Sequence, residues 1–518
     1  MKALVGGLGA LVLTTVVFSS QSVDLGAACE QLSELVLPGT TITLAQTVNA
    51  GAFSPPNPAD NDPAFRALPA LCRVAATLKP SRDSDIRIEV WMPQAGWNGK
   101  FQAVDNGGFG GAINYSRDEE HSLRGALARG YATASTDTGH VQGGDASWAI
   151  GQPEKVVDFG WRAVHEMATA SKQIISSYYG RGPRLSYWHG CSSGGRQGLK
   201  AAQRFPEDFD GIIAGAPASD WTGRAAEALR VAKVLEATEA ARLSQPHRQL
   251  LHSAVVNACD ATDGVKDGLI GNPERCQFNP SVLECKGANA STCLSPAQVE
   301  TARTIYSGAV NPKTKRQITG LAPGSELGWT DLGWTGGAGP GGARGNGLNH
   351  FRFIVFGDPQ WEVQAFDFDA GIVRAEQIDN NTINALDPNL KPFFDRGGKL
   401  IQYHGWSDPQ ISPGNSTQYY TRVVGTLGGT TNVNGSYRLF MVPGMGHCGG
   451  GEGPNTFDML AALEQWVEQG KAPDQIVASH STNGVVDRTR PICPYPQVAV
   501  YKGAGSPNEA ANFVCKGP

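Results

Sequence analysis

The sequence predicts an α/β fold carrying a large insertion, and three observations predict it. Short apolar stretches alternate with amphipathic ones between residues 85 and 215. That alternation stops after Ala218 and resumes only at Lys399. Gly is 65 of 518 residues, which suits many tight connections better than long helices.

Residues 85–93 (DIRIEVWMP) alternate as a strand should, and 100–105 (KFQAVD) and 131–137 (YATASTD) follow as two more. An amphipathic helix is expected over 153–179, where Val156, Phe159, Val164, Met167, Ile174 and Ile175 recur near helical spacing. Residues 184–189 (RLSYWH) read as a strand, 195–204 as a helix and 210–215 (DGIIAG) as a buried strand. Strands separated by helices in this way fold as a parallel sheet with both faces covered. Residues 219–386 read as an inserted second domain, with a helical run at 225–241, four cysteines and a Gly-rich stretch at 333–347. The pattern resumes with strands at 399–404 (KLIQYH) and 437–442 (YRLFMV) and a helix at 457–469. The core is therefore expected in two parts, 23–218 and 387–518.

Composition excludes several functions. Hydrophobic residues make up 40% and charged residues 18%, so the chain is not a disordered polyelectrolyte. Lys+Arg number 43 against 48 Asp+Glu, a net charge of −5 with no dense basic run, which argues against a nucleic-acid partner. Lys2 followed by the apolar run 3–18 and a polar exit reads as a signal peptide over 1–22, with cleavage near 20–28. That run falls short of the roughly 20 apolar residues a membrane span needs, and no later stretch reaches that length. The expected location is secreted or periplasmic, with no membrane partner.

Ten cysteines in an oxidising compartment read as five disulfides. The absence of CxxC spacing and of an adjoining His cluster argues against zinc. Connectivity is not fixed by sequence, but local neighbours suggest 29–72, 259–276, 285–293 and 493–515, leaving Cys191 and Cys448.

The sharpest motif is Gly190-Cys191-Ser192-Ser193-Gly194-Gly195, a G-x-S-x-G with an expected strand before it and a helix after it. In that setting the turn lifts the serine hydroxyl off the sheet, and the helix N-terminus helps hold an oxyanion. A nucleophilic serine needs a base and an orienting acid, which α/β-hydrolases supply in the order Ser, Asp, His on loops after late strands. Asp408 follows the strand ending at His404, and His447 follows the strand ending at Val442. His404 and His189 read as wall or core histidines. If His447 takes the Ser192 proton, the neighbouring Cys191 and Cys448 come within disulfide range. The oxyanion donors are expected to be the backbone N–H groups of Ser193 and of Gly108, in Asn106-Gly107-Gly108-Phe109-Gly110-Gly111. A second constellation runs Asp260-Ala261-Thr262-Asp263-Gly264-Val265-Lys266-Asp267-Gly268-Leu269. Its carboxylates can wrap a hard cation, although taken alone it reads better as an acidic solvated turn.

These residues resemble the tannase/feruloyl esterase family, which includes a bacterial hydrolase of mono(2-hydroxyethyl) terephthalate. The resemblance rests on the elbow with Arg196, on Arg204-Phe205-Pro206, Asp210-Gly211-Ile212 and Gly215-Ala216-Pro217, and on Gly405-Trp406-Ser407-Asp408. It continues through Pro443-Gly444-Met445-Gly446-His447-Cys448 and the tail 490–496 (RPICPYP). It implies an α/β-hydrolase fold with a lid, a Ser192, Asp408, His447 triad and a Cys191–Cys448 disulfide. It also implies a structural calcium held by Asp260, Asp263 and Asp267 and by the backbone oxygens of Val265 and Leu269. Where some relatives carry an acidic residue this chain has Ser193; the role there is a backbone N–H. The expected substrate is a small ester of an aromatic or phenolic acid, of plant cell-wall or tannin origin. Lid aromatics Trp329, Trp334, Phe351, Phe353 and Trp361 are expected either to stack on that ring or to form the lid's own core. The competing classes are a terephthalate-type or general esterase or lipase, a secreted peptidase, and a non-catalytic secreted binding protein.

Overall fold

The computed structural model describes residues 1, 27–116, 121–141, 144–287, 291–332 and 343–517. The expected signal peptide and Trp334 lie outside the described residues. Seven strands come first: β1 Thr40–Val48, β2 Leu71–Leu78, β3 Ile86–Pro93, β4 Lys100–Val104, β5 Ala132–Thr136, β6 Leu185–Cys191 and β7 Gly211–Gly215. Within 219–386 the described residues hold only a two-stranded hairpin, β8 Ala309–Val310 with β9 Gln317–Ile318, and neither strand joins the main sheet. β10 Lys399–Gly405 and β11 Tyr437–Val442 then return to it, giving nine strands in the order β1-β2-β3-β5-β4-β6-β7-β10-β11.

The sheet is mixed, which corrects the expectation of a parallel one. From β5 through β4, β6, β7 and β10 to β11 the pairing is parallel, while β1, β2, β3 and β5 pair antiparallel. The physical reason lies in burial. β4, β5 and β7 are buried at every position, as strands covered by helices on both faces must be. β2 alternates buried with partly exposed residues and β1 is half-buried or exposed at all but its last position, along an edge that solvent reaches, where antiparallel strands persist. β1 (TTITLAQTV) is polar enough that its period-two signal is weak.

The helix expected over 153–179 exists as Pro153–Val157 and Ala163–Tyr179, joined by a π-helical turn Asp158–Arg162. The wide turn frees backbone carbonyls, and the fully buried Arg196 takes two of them, Gly160 O at 2.8 Å and Phe159 O at 3.2 Å. Its guanidinium also lies 4.8 Å from the Phe159 ring centre. This one side chain therefore fastens the helix Ser193–Arg204 to the neighbouring helix pair.

The insertion has cores of its own. Phe351, Phe366, Ile372 and Leu229 form one, with Trp361 packed against it, and Trp329, Leu251, Val299 and Ile305 form another. Trp329, Phe351 and Trp361 are therefore lid interior, whereas half-buried Phe353 packs on the cluster of Phe109, Phe159 and Trp221. A charged clasp ties the insertion to the core. His252 Nδ1 lies 2.9 Å from the buried Glu326 carboxylate and its Nε2 lies 3.0 Å from Glu452, five residues past His447. Burial opposes the imidazolium, but hydrogen bonds and charge from both glutamates outweigh it and raise His252 to about 9. The folded value lies above the unfolded ~6.5, so the clasp is at full strength below that pH and is lost as pH climbs through about 9. Thermal melts of wild type and His252→Gln should therefore differ by about 1 kcal/mol at neutral pH, discounted because Glu452 is half exposed, and should converge by pH 10.

Candidate active site

Ser192 stands between β6 and the helix Ser193–Arg204 at φ 62°, ψ −119°, a backbone region that side chains rarely adopt. Three hydrogen bonds hold it there. Its N–H donates to Gly215 O at 2.9 Å, and its carbonyl accepts from Arg196 N and Ala218 N, each at 3.1 Å. The motif glycines are demanded by close approach: a Cβ on Gly194 would lie 1.9 Å from Asp105 Oδ2, and one on Gly195 2.2 Å from Gly215 O. Asp105, buried at the end of β4, thus supports the turn from below, and its Oδ2 accepts the Cys191 N–H at 2.8 Å. Its Oδ1 lies 3.0 Å from His121 Nδ1.

The later strands deliver the other two residues. Asp408 is fully buried, and each carboxylate oxygen meets two donors. Oδ1 accepts from Gln410 N at 2.8 Å and Ile411 N at 3.0 Å, while Oδ2 lies 2.7 Å from His447 Nδ1 and 3.1 Å from His404 Nε2. Burial alone would push this carboxyl up. The His447 charge and the hydrogen bonds from His404 and His447 outweigh it and hold the group well below the usual carboxylate range. Ser407 N donates to Met445 O at 3.0 Å, linking the Asp408 loop to the His447 loop.

All five disulfides expected from local spacing and from the leftover pair are formed: 29–72, 191–448, 259–276, 285–293 and 493–515. Cys191 and Cys448 are 6.0 Å apart at Cα and couple the serine turn to the histidine loop across 257 residues of sequence. Cys448, at φ 62°, also sits in the left-handed region. Ser193 opens its helix, so its N–H is one of the donors without an intrahelical partner. Gly108 adopts φ +57°, and its N–H makes no hydrogen bond among the described residues. The structure therefore leaves both expected donors free to serve an oxyanion.

Three site residues escaped the sequence reading. Asp105 looked like the last residue of a strand, and its place just before the Gly-rich loop was the available signal. His404 read as a wall or core histidine; it is core, and it also touches Asp408. Arg224 lines a cleft between the insertion and the Asp408 loop, together with Val231, Ile318, Leu332, Pro409 and Gln410. Its Nε donates to Gln410 O at 3.2 Å, and it has no ion-pair partner within 4.0 Å among the described residues. Burial lowers it to about 10, partly offset by the Asp408 charge.

Among the described residues, no group of three or more His, Cys, Asp or Glu side chains is arranged to hold a metal ion. In the Cys259–Cys276 loop the expected ligands are turned to other partners. Asp260 accepts the N–H groups of Asp267 at 3.1 Å and Gly268 at 2.9 Å, Asp263 accepts that of Val265 at 3.3 Å, and Asp267 pairs with Arg490. The donor types nevertheless suit a hard cation. Burial first, then the charges of Asp267 and Asp260, push Asp263 up to about 6, and the Val265 and Leu269 carbonyls accept no hydrogen bond among the described residues.

A serine on a strand-to-helix elbow, with a histidine and a buried aspartate on loops after later strands, defines an α/β-hydrolase. The chain belongs to the tannase and feruloyl esterase family, whose model matches residues 72–516, and it is a carboxylic ester hydrolase. It is 39% identical to an uncharacterized esterase of Xanthomonas campestris pv. campestris, covering 94% of this chain and 91% of that protein. It is 34% identical to the mono(2-hydroxyethyl) terephthalate hydrolase of Piscinibacter sakaiensis, covering 95% and 92%. The crystal structure of feruloyl esterase B from Aspergillus oryzae superposes with a TM-score of 0.86 at 29% identity, covering 94% of this chain and 99% of that one.

Replacing Gly194 by Ala should push the turn off Asp105. Steady-state kinetics of Gly194→Ala should show kcat/KM reduced at least about 100-fold, the cost of displacing a reacting group by an ångström.

Proposed function

We propose that this chain is an exported serine esterase that cleaves esters of aromatic or phenolic acids through an acyl-enzyme. The observation that carries the reading is Ser192, held at φ 62° and locked by Cys191–Cys448 to the loop of His447, whose Nδ1 sits 2.7 Å from Asp408. Ser192 Oγ attacks the ester carbonyl as His447 takes its proton, and Asp408 orients the imidazole and stabilises the imidazolium. The N–H groups of Ser193 and Gly108 receive the oxyanion. His447 returns the proton to the departing alkoxide, and water then releases the acid by the reverse sequence. Phe109, within the oxyanion loop, belongs to a buried aromatic cluster with Trp221, on which half-buried Phe353 packs. Export is supported by the N-terminal apolar run and the five disulfides. No helix among the described residues is long and apolar enough to cross a membrane.

Arg224 favours a second reading, an ester whose acid half keeps a free carboxylate, as in a terephthalate monoester. A half-buried guanidinium without an ion-pair partner among the described residues is a ready counter-ion for such a group.

Turnover of methyl ferulate, methyl gallate, chlorogenate, mono(2-hydroxyethyl) terephthalate and a p-nitrophenyl alkanoate should separate these readings. Aromatic esters should be hydrolysed by wild type and lost, by about 10³-fold or more, in Ser192→Ala. Preference for the terephthalate monoester, abolished in Arg224→Leu, would establish the second reading. Turnover of the alkanoate alone would sink both.

We further propose that Asp260, Asp263 and Asp267, with the Val265 and Leu269 carbonyls, bind a structural Ca²⁺ that joins the loop's carboxylates and leaves the chemistry to the triad. Calcium at a hundredfold excess over its Kd should stabilise wild type by about 2.7 kcal/mol in thermal denaturation against an EDTA control, and Asp263→Asn should lose that gain.

A further inference from the structure

Behind Asp408 runs a line of buried polar groups that the ester chemistry does not itself require. The Tyr437 hydroxyl hydrogen-bonds Gln402 Oε1. Gln402 Nε2 donates to Ser416 Oγ at 2.6 Å, Ser416 Oγ lies 2.7 Å from His404 Nδ1, and His404 Nε2 lies 3.1 Å from Asp408 Oδ2. All five side chains are 0% exposed. Tyr437 lies on β11, Gln402 and His404 lie on β10, and Ser416 lies on the helix Gly414–Thr426, so three elements build the chain.

The direction of the chain is fixed from both ends. His404 Nε2 faces two groups that can only accept, Asp408 Oδ2 and the Ile411 carbonyl at 3.0 Å, so it must carry the ring proton. Nδ1 is then the acceptor. Ser416 Oγ already receives an N–H from Gln402, so its own proton points at that Nδ1. Burial holds the Tyr437 hydroxyl protonated, so it donates as well. Every donor thus points toward the carboxylate.

A buried polar side chain costs free energy unless satisfied, and three on adjoining strands would be replaced more simply by apolar residues if packing were their only role. Their shared destination is the carboxylate oxygen that also meets His447. We propose that His404 is a positioning residue for the triad acid. Its Nε2–H, held in one tautomer by Ser416, Gln402 and Tyr437, fixes Asp408 Oδ2 against His447 Nδ1 and draws off part of its charge. This role rests on the triad reading above. Charged and titratable groups facing Asp408 are His447, His404 and the Arg224 guanidinium, so removing His404 leaves the carboxylate less neutralised. The proton on His447 is then held more tightly.

The test is kcat, KM and their pH dependence between pH 5 and 9 on the best ester, for wild type, His404→Leu and His404→Gln, with thermal melts to confirm folding. Glutamine keeps an N–H where Nε2 stood, and leucine does not. His404→Leu should lower kcat roughly 10- to 100-fold, with KM within about twofold and the acid limb of kcat/KM moved to higher pH. His404→Gln should recover kcat to within about threefold, with the wild-type acid limb. Should His404→Leu fail to fold, Ser416→Ala removes the link behind it and should move the acid limb the same way with a smaller drop in kcat. Wild-type kinetics and pH profile in folded His404→Leu or Ser416→Ala would overturn the proposal. So would equal loss in the leucine and glutamine variants with an unmoved acid limb, the mark of a packing role. Activity surviving in Ser192→Ala would overturn the triad reading itself, which is distinguishable from failure of the chain alone.

Discussion

The constraint on which the site depends is the backbone of Ser192, held at φ 62°. A non-glycine residue there costs on the order of 1–3 kcal/mol, and it persists only where its surroundings leave no alternative. The surroundings here are specific. β7 takes the Ser192 N–H, the helix start and Ala218 take its carbonyl, and Asp105 fills the space under Gly194 while holding the Cys191 N–H. Arg196 then anchors the helix through carbonyls that a π turn exposes. Strain at one residue is therefore met by hydrogen bonds from several elements, each too short to supply them alone.

Asp408 solves a different problem. A carboxylate with no solvent contact is costly unless its oxygens are paired, and here four donors occupy the two oxygens. Two come from the backbone of its own loop, so they follow from the local turn in Asp408-Pro409-Gln410-Ile411. The other two are histidine ring nitrogens from separate segments. One, on His447, lies toward the partly exposed side, and the other, on His404, lies in the sealed core.

What the sequence made legible follows the range of the forces involved. Buried strands such as β7, and β10 past its first residue, announce themselves by composition, and the elbow does so because steric crowding admits few residues but glycine at Gly194 and Gly195. Asp408 and His447 were found because each follows a strand by a few residues. The antiparallel edge was missed because β1 is half polar, and the π turn because Arg196, which takes its carbonyls, is 36 and 37 residues away from them. Asp105 and His404 show the same limit more sharply. Each is an ordinary strand-end residue in one dimension, and its role arises only when β4 lies beside β6, or β10 beside the helix at Gly414–Thr426.

The insertion leaves the sheet after β7, whose Gly215 accepts the Ser192 N–H, and returns at β10, the strand that the Asp408 loop follows. Its own aromatic cores absorb Trp329, Phe351 and Trp361, so most of its ring surface is spent on internal stability. Phe353 packs on the cluster of Phe109, Phe159 and Trp221, and Arg224 lines the cleft against the Asp408 loop. Through His252 and Glu452 the same insertion is also fastened to the loop of His447. A change that disturbs the His252 clasp therefore acts on the loop of His447 as well as on the insertion.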